Sequence, residues 1–420
     1  MRVFMTVFGT YGDVRPLLSI ARQLKQGGAK VVFFSNPFFE EKVRSAGVGW
    51  RGGGERIDPE AIVRNERLRH PHLGPIRIWR EVFEPLVAKF YDAIMAEVGA
   101  RGAGRPAMIV NHPWCFGGAM AAEKLKAPWS MVSLAPLTWF SGDDPPQATG
   151  LEPPRWMRRW GVEGPLRWML NGGFGPDLDR FAHEHGLPKV KHRYFWSLRG
   201  AALNLGMWSP AVRGPAEDDP PQSVICGFPE SYPTRPPPPL DAKVEAFLEA
   251  GEAPLVLGMG SALPPLFPNI YAEVWRACER LGWRAVLVGA PEGSVPTDEE
   301  RLCVVPYAPY TSLFPRARVI VHHGGIGSLA ESVAAGRPQL VLPQGTDQYD
   351  NAWRAELLGV GARCAPKRIR AKRLAKLLDA LDRDDAVEER ARALARAVAQ
   401  EESGAVVAAR AIREAIARAG

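Results

Sequence analysis

The sequence predicts an α/β protein of two doubly wound domains, on three observations. At 420 residues the chain exceeds one hydrophobic core, since single cores stop growing at about 250 to 300 residues. Short β-rich apolar runs alternate with longer stretches of helical period, the pattern of a parallel sheet covered by helices. The alternation breaks once: ten of the 39 prolines fall within residues 210–240, ending in Pro236-Pro237-Pro238-Pro239, and such a stretch sustains neither helix nor central strand. The division is therefore a first domain over 1–232, a Pro-rich linker over 233–240 and a second domain over 241–420.

The elements follow in order. The first domain opens on a strand at 3–8, followed by a helix whose apolar stripe is Leu17, Leu18, Ile20, Ala21 and Leu24. Further strands are expected at 31–34, 108–110 and 129–134. In the second domain they are expected at 255–257, 285–288, 302–305, 319–321 and 340–342. Two such domains are expected to leave a cleft at the carboxyl ends of their sheets, where ligands of doubly wound sheets bind.

Composition removes several classes. With 46% hydrophobic and 24% charged residues, the chain can bury a core and is not wholly disordered. No apolar run reaches the roughly 18 to 20 residues of a membrane-spanning helix, so a soluble or at most peripheral protein is expected. The five cysteines form no C-x-x-C pair, which points to reduced thiols in a cytoplasm and to neither a zinc site nor a disulfide framework. The first apolar run passes directly into Gly9-Thr10-Tyr11-Gly12-Asp13, unlike a secretory signal.

The segment Val319-Ile320-Val321-His322-His323-Gly324-Gly325-Ile326-Gly327-Ser328-Leu329-Ala330-Glu331 runs from a strand through a Gly-rich turn into a helix. Backbone N–H groups and the positive end of the helix dipole make that arrangement a phosphate site. His323 and Ser328 can add side-chain donors, and Glu331, one turn on, can accept two hydrogen bonds from a ribose diol. Asp347-Gln348, at the start of the next helix, suits the hydroxyls of a sugar. His322 points to the opposite face of an extended chain and is read as structural.

Here the sequence resembles the nucleotide-sugar glycosyltransferases of the UDP-glycosyltransferase superfamily. It matches their donor box at His323, Gly325, Ser328 and Glu331, then at Gly336-Arg337-Pro338, Pro343 and Asp347-Gln348. Gly9-Thr10-Tyr11-Gly12-Asp13-Val14-Arg15-Pro16 is similar to the bacterial branch of rhamnolipid-type rhamnosyltransferases, sterol glucosyltransferases and glycopeptide-antibiotic glycosyltransferases. The resemblance implies the GT-B fold, two Rossmann-like domains facing across a cleft, with the last helix able to cross back to the N-terminal domain. It implies inverting, metal-independent transfer of a hexose or deoxyhexose from a UDP- or dTDP-sugar to a hydroxyl of a hydrophobic small-molecule or lipid acceptor, with no resident cofactor. It gives the diphosphate to His323, Ser328 and the amides of Gly324, Gly325 and Gly327, the ribose to Glu331, and the sugar to Asp347 and Gln348. Tyr307 falls where plant members stack a Trp on the base, and Gly260, Ser261 and Thr10 complete the donor set.

The same residues carry competing readings. Gly325-Ile326-Gly327-Ser328-Leu329-Ala330 is a formal dinucleotide fingerprint, which leaves an NAD(P)-dependent oxidoreductase as an alternative, with a sugar-nucleotide epimerase of the same fold as another. Against the first, Asp347 opens a helix instead of ending a strand. Transfer to a hydroxyl needs a proton acceptor, and Asp13 is the candidate base, with capping of the following helix as its competing role. Two Asp-x-Asp sequences, Asp177-Leu178-Asp179 and Asp382-Arg383-Asp384, sit where helix caps are expected, and no metal site is assigned.

Trp114, Phe116, Trp139 and Phe140 flank the strands at 108–134 and are the expected acceptor contacts. Trp156-Met157-Arg158-Arg159-Trp160 and Arg167-Trp168-Met169 suit a cleft lid or a membrane interface, which allows a peripheral position at the inner face of the membrane. The net charge is +7. Arg363, Lys367, Arg368, Arg370, Lys372, Arg373 and Lys376 form a run without acids whose size equals that excess, so a solvated patch accounts for it and a nucleic-acid partner is not expected.

Overall fold

A computed structural model of the chain describes residues 1–65, 67–68, 74–99, 104–147, 162–230, 237–260, 263–296 and 300–419. The chain divides into two units. The first comprises Met1–Pro146, Pro153–Glu230 and Glu402–Gly420; the second comprises Gln147–Glu152 and Ser231–Glu401. The middle of the Pro-rich linker, at 231–236, lies outside the described residues.

The first unit is built on a seven-stranded sheet of β1 (Arg2–Val7), β2 (Lys30–Ser35), β3 (Gly49–Gly52), β4 (Met108–Asn111), β5 (Trp129–Ser133), β6 (Leu203–Gly206) and β7 (Ser223–Ile225), in the order β3-β2-β1-β4-β5-β6-β7. Every pairing is parallel. Helices join successive strands from β1 to β6, in keeping with the crossovers that parallel neighbours require, whereas β6 and β7 are joined by turns and loop over 207–222. The helices that matter below are α1 (Tyr11–Gln26), α2 (Glu84–Gly99), α3 (Phe116–Leu125), α4 (Arg167–Glu184) and α5 (Arg193–Arg199). Phe4, Val32, Phe34 and Ile109 from the sheet pack with Trp79, Phe90, Phe116 and Tyr194 in one core. α1 buries the stripe Val14, Leu17, Leu18, Ile20, Ala21 and Leu24, as its helical spacing requires.

The second unit has six parallel strands, β8 (Leu255–Gly258), β9 (Ala285–Val288), β10 (Leu302–Val305), β11 (Ile320–His322), β12 (Gln339–Val341) and β13 (Gly361–Arg363), in the order β10-β9-β8-β11-β12-β13. Its helices include α6 (Pro268–Leu281), α7 (Tyr310–Leu313), α8 (Ile326–Ala335), α9 (Thr346–Leu357), α10 (Ala371–Asp382) and α11 (Asp385–Val398). Side chains alternate between faces of a strand. Leu255, Leu257, Ala285 and Leu287 therefore enter one core with α6 and α10, while Val256, Val286 and Val288 enter another with Leu313 and Phe314.

The last helix, α12 (Gly404–Ala419), belongs to the first unit. Gly404 N donates to Phe228 O at 2.7 Å and Ser403 Oγ to Pro229 O at 2.9 Å. A side chain at Gly404 would overlap the backbone of Gly227.

Four strands escape the sequence reading: β3 is Gly-Trp-Arg-Gly, β6 Leu-Asn-Leu-Gly, β7 Ser-Val-Ile and β13 Gly-Ala-Arg. Each is too short or too glycine-rich to show an apolar run. Asp177 and Asp179 do not cap a helix; both lie inside α4, where Asp177 accepts from Trp79 Nε1 at 2.8 Å and Asp179 is 3.6 Å from Arg193. Asp384 does cap, accepting from Ala386 N and Val387 N at the start of α11. Asp382 instead pairs with Arg318 at 2.7 Å. Among the described residues no helix is long and apolar enough to cross a membrane.

Candidate active site

Both sheets share one strand order through their first six strands, with the first and fourth strands adjacent. At that junction the strand order reverses, and loops leaving the carboxyl ends of the two strands open a crevice. Each unit carries its candidate functional groups there.

In the first unit the pair is β1 and β4, registered so that Thr6 lies opposite Asn111. The loop after β1 passes through Gly9, at φ +141°, to Thr10, the N-cap of α1. Thr10 and Asp13 form a capping box: Gly12 N donates to Thr10 Oγ1 at 3.2 Å, and Thr10 N donates to Asp13 Oδ2 at 2.7 Å. Thr10 Oγ1 also lies 3.1 Å from Asp13 Oδ2, so the hydroxyl expected on the donor side is engaged within its own turn. A Cβ at Gly9 would overlap the Asp13 carboxylate. α1 begins at Tyr11, and Pro16 lies within it.

The loop after β4 brings His112, which the sequence reading missed. Its Nε2 is 3.4 Å from Asp13 Oδ1, its side chain is 5% exposed against 30% for Asp13, and its Nδ1 has no hydrogen-bond partner among the described residues. Burial pushes the Asp13 carboxyl up, but His112 and the two Thr10 hydrogen bonds outweigh it, and the net is below the ordinary carboxylate value. Asp13 is thus both a helix-capping residue and a partly open carboxylate backed by an imidazole. Nothing local in the sequence signals the pairing; only the β1–β4 adjacency does.

In the second unit the junction is β8 and β11, with Gly258 opposite His322. His322 is buried, its Nδ1 accepting from Gly324 N at 3.1 Å and its Nε2 facing Gln339 Oε1 at 2.8 Å. It is a neutral structural residue, its pKa pushed down to about 4 by burial. His323 is half-buried, and its ring fills the space between two glycines. A Cβ on Gly260 would come 2.9 Å from His323 Cε1, and one on Gly325 would overlap Nε2. Burial, and then His322, hold His323 neutral, so it keeps one N–H donor and carries no charge. α8 starts at Ile326 with Gly325 as N-cap and no side-chain cap. A Cβ on Gly327 would meet nothing within 4 Å.

Of the other residues expected on the donor side, Gln348 packs against this turn. Gly324, at φ +87°, leaves no room for a side chain against Gln348 O, 2.9 Å from its would-be Cβ. Asn351 Nδ2 donates to Gly324 O at 2.8 Å, and Gln348 Oε1 accepts from Gln344 N at 2.8 Å. Ser328 lies buried in the first turn of α8, and Asp347 in the first turn of α9. Glu331 Oε2 accepts from Thr311 Oγ1 at 3.1 Å, and Tyr307 is 75% exposed. Ser261 lies outside the described residues.

The four expected acceptor contacts separate into two kinds. Phe116 and Trp139 are buried core residues, Phe116 edge-on to Trp79 and Trp139 edge-on to Trp208 with Arg213 over its ring. Covered rings cannot present a face to an acceptor, which corrects that expectation. Trp114 and Phe140 remain half-buried, Trp114 stacked on Phe83 at 4.6 Å and Phe140 edge-on to Phe195. Trp156 to Trp160 lie outside the described residues, whereas Trp168 and Met169 are exposed. Next to them Arg167, Lys191, His192 and Arg199 line a pocket of about 270 Å³ with Phe195 and Trp196. Positive charge therefore gathers here as well as along 363–376, where Arg363 is already paired with Glu356.

Fold and site together define a GT-B glycosyltransferase. A family described as "Erythromycin biosynthesis protein CIII-like, C-terminal domain" matches residues 292–413. The O-mycaminosyltylonolide 6-deoxyallosyltransferase of Streptomyces fradiae is 30% identical over 96% of this chain and 94% of its own. A sterol 3-beta-glucosyltransferase of Arabidopsis thaliana is 28% identical over 97% of this chain, which spans 65% of that protein. The solved spinosyn rhamnosyltransferase SpnG complexed with thymidine diphosphate shares the fold, with a TM-score of 0.66 at 17% identity over 98% of this chain and 100% of its own. The chain belongs to the glycosyltransferase family of that 6-deoxyallosyltransferase, with an EryCIII-like C-terminal domain over 292–413, and it is an enzyme that transfers a sugar.

Proposed function

We propose that this enzyme moves a hexose or deoxyhexose from a UDP- or dTDP-sugar to a hydroxyl of an apolar natural product, sterol or lipid, inverting the anomeric centre without a metal ion. The observation that carries the reading is the turn after β11: an uncapped helix start, a glycine whose side-chain space is open, and a neutral His323 wedged between Gly260 and Gly325. Such a turn offers N–H donors to a diphosphate without needing a counter-charge. Glu331 then takes the ribose, Asp347 and Gln348 the sugar, and Tyr307 the base.

In the reaction the acceptor oxygen forms a bond to the anomeric carbon as the bond to the diphosphate oxygen breaks. The acceptor proton passes to Asp13, and the diphosphate leaves with its charge held by the α8 amides and His323. A carboxyl below its ordinary pKa is a weak base, so proton removal follows the departure of the leaving group instead of leading it. His112, against Asp13 Oδ1, fixes the carboxylate and stabilises its charge. Trp114 and Phe140 supply apolar contact to the acceptor.

The buried, unpaired state of all five cysteines supports a reducing, cytoplasmic setting. Peripheral contact with acidic head groups is assigned to the pocket at Arg167, Lys191 and Arg199. An NAD(P) reading has no comparable support, because Asp347 opens α9 and β12 ends at Val341.

The test is the anomeric configuration of the product by NMR, with turnover measured in excess EDTA. Inverted product at an undiminished rate is expected. Retained configuration overturns the stereochemical part, and loss of activity restored by a divalent cation overturns the metal-free part.

A further inference from the structure

A second group of basic side chains gathers in the first unit and serves no step of the transfer. Arg167, Lys191, His192 and Arg199 line a pocket of about 270 Å³ whose apolar wall is Phe195 and Trp196. Trp196 lies 4.6 Å from Trp129, the first residue of β5, so this end of the pocket is at the amino edge of the sheet, whereas the crevice opens at the carboxyl ends. Trp129 Nε1 donates to Ser197 O at 2.8 Å and fixes α5 there. The sequence holds no acid over 164–176 or 185–216, so the segments that supply the basic groups supply no counter-charge. Glu123 and Asp179, which reach toward α5, face the buried Arg193 at 3.0 and 3.6 Å. Lys191 and Arg199 are exposed. Beside Arg167 in the first turn of α4, Trp168 is 78% exposed and Met169 57%, and no large apolar side chain among the described residues is more exposed than Trp168.

A soluble anion would use the charges of such a pocket and leave Trp168 and Met169 in water. An anionic bilayer satisfies both, because basic residues are drawn to its surface potential and Trp is favoured at the boundary of head groups and acyl chains. We propose, resting on the reading of peripheral contact above, that the first unit docks on an anionic bilayer through this face, with a head-group phosphate entering the basic pocket and Trp168 and Met169 seated in the interfacial layer. The acid-free run at 363–376 offers charge without that second element, because its Cys364, Ile369 and Leu374 are buried. Phe195 is edge-on to Phe140 at 5.3 Å, so the docked face adjoins a residue given an acceptor contact above.

The experiment measures cosedimentation of the full-length enzyme with vesicles of equal parts phosphatidylglycerol and phosphatidylcholine, beside vesicles of phosphatidylcholine alone. Wild type is expected to bind the mixed vesicles about tenfold or more above the neutral ones. Lys191→Ala combined with Arg199→Ala is expected to weaken that binding about thirtyfold, roughly fivefold for each basic residue, and Trp168→Ala on the order of tenfold. Lys191→Arg with Arg199→Lys, which keeps the charge, is expected to bind as wild type, as is Lys367→Ala with Arg368→Ala in the other basic run. The substituted side chains are exposed, and thermal melts matching wild type identify weaker binding as lost docking. Wild-type affinity in the alanine variants at 191 and 199 and at 168, or a loss confined to the variant at 367 and 368, overturns this face as the docking surface and leaves peripheral contact standing. Failure of wild type to bind the anionic vesicles overturns the peripheral reading itself, and calorimetric binding of inorganic phosphate in its place would make the pocket a soluble-anion site.

Discussion

The loop after β1 and the loop after β11 leave the same first-and-fourth-strand junction of two sheets of one strand order, the first from its first strand and the second from its fourth, yet they solve opposite electrostatic problems. The first keeps a charge in: the Asp13 carboxyl is held below its ordinary value by His112 and Thr10 despite the opposing effect of burial. The second keeps a charge out: burial holds both His322 and His323 neutral. In the proposed mechanism one loop accepts a proton, and the other receives a diphosphate with N–H dipoles alone. Equal topology therefore fixes where a site lies and leaves its chemistry to the side chains.

The difference is broken most severely at Asp13. Asp13→Asn removes the proposed proton acceptor and retains the shape, and turnover is expected to fall about 10² to 10⁴-fold, the usual contribution of a positioned base. A steady-state rate within a few-fold of wild type would take Asp13 out of the chemistry.

In the other loop, His323→Ala removes one donor to a charged group. Such bonds contribute about 1.5 to 3 kcal/mol, so nucleotide diphosphate affinity is expected to drop roughly tenfold to a hundredfold. Calorimetric titration with UDP and dTDP measures it, and unaltered affinity for both would relocate the diphosphate.

A smaller contrast separates two glycines. Gly9→Ala forces a side chain into φ +141° and onto the Asp13 carboxylate, and is expected to cost about 1 to 3 kcal/mol of stability. Gly327→Ala places its methyl in open space, and is expected to leave stability within about 0.5 kcal/mol while weakening donor binding. Thermal melts and a nucleotide titration on both variants test the pairing. Equal melting losses would mean that the two loops are constrained alike.

The smallest effect is on pH dependence, where the loops act in separate windows. The unfolded chain protonates His322 and His323 near the ordinary value of 6.5, whereas the folded chain resists until about 4 or below. Stability contributed above pH 6.5 is therefore lost as pH falls from 6.5 toward 4. Asp13, with a folded value below 3.8, contributes stability above that pH, lost as pH falls further through the folded value. Melting temperature is expected to decline from pH 7 to 5 with a shallower slope in His322→Gln. An identical slope in that variant would exclude His322 as a source.

What the sequence made legible follows the same division. The donor turn could be read because its parts are consecutive in the chain: strand, glycines, His323, Ser328 and Glu331 form one local motif whose spacing is its geometry. Asp13 could be read for the same reason. His112 could not, because it meets Asp13 only through the pairing of β1 with β4, and Thr311 meets Glu331 only through the packing of α7 on α8. Trp139 and Trp114 look alike in sequence, each an aromatic after a strand, but Trp139 is covered by Trp208 and Arg213 while Trp114 is only half-buried. Burial of that kind is a tertiary property. β7 and β13 were hidden for a simpler reason, since three residues each carry no periodicity.

The division of labour between the two loops is tested most directly by nucleotide diphosphate binding to Asp13→Asn beside His323→Ala, titrated by calorimetry under one condition. Wild-type affinity in Asp13→Asn together with a roughly tenfold or greater loss in His323→Ala is the predicted result. Equal losses in the two variants would contradict it.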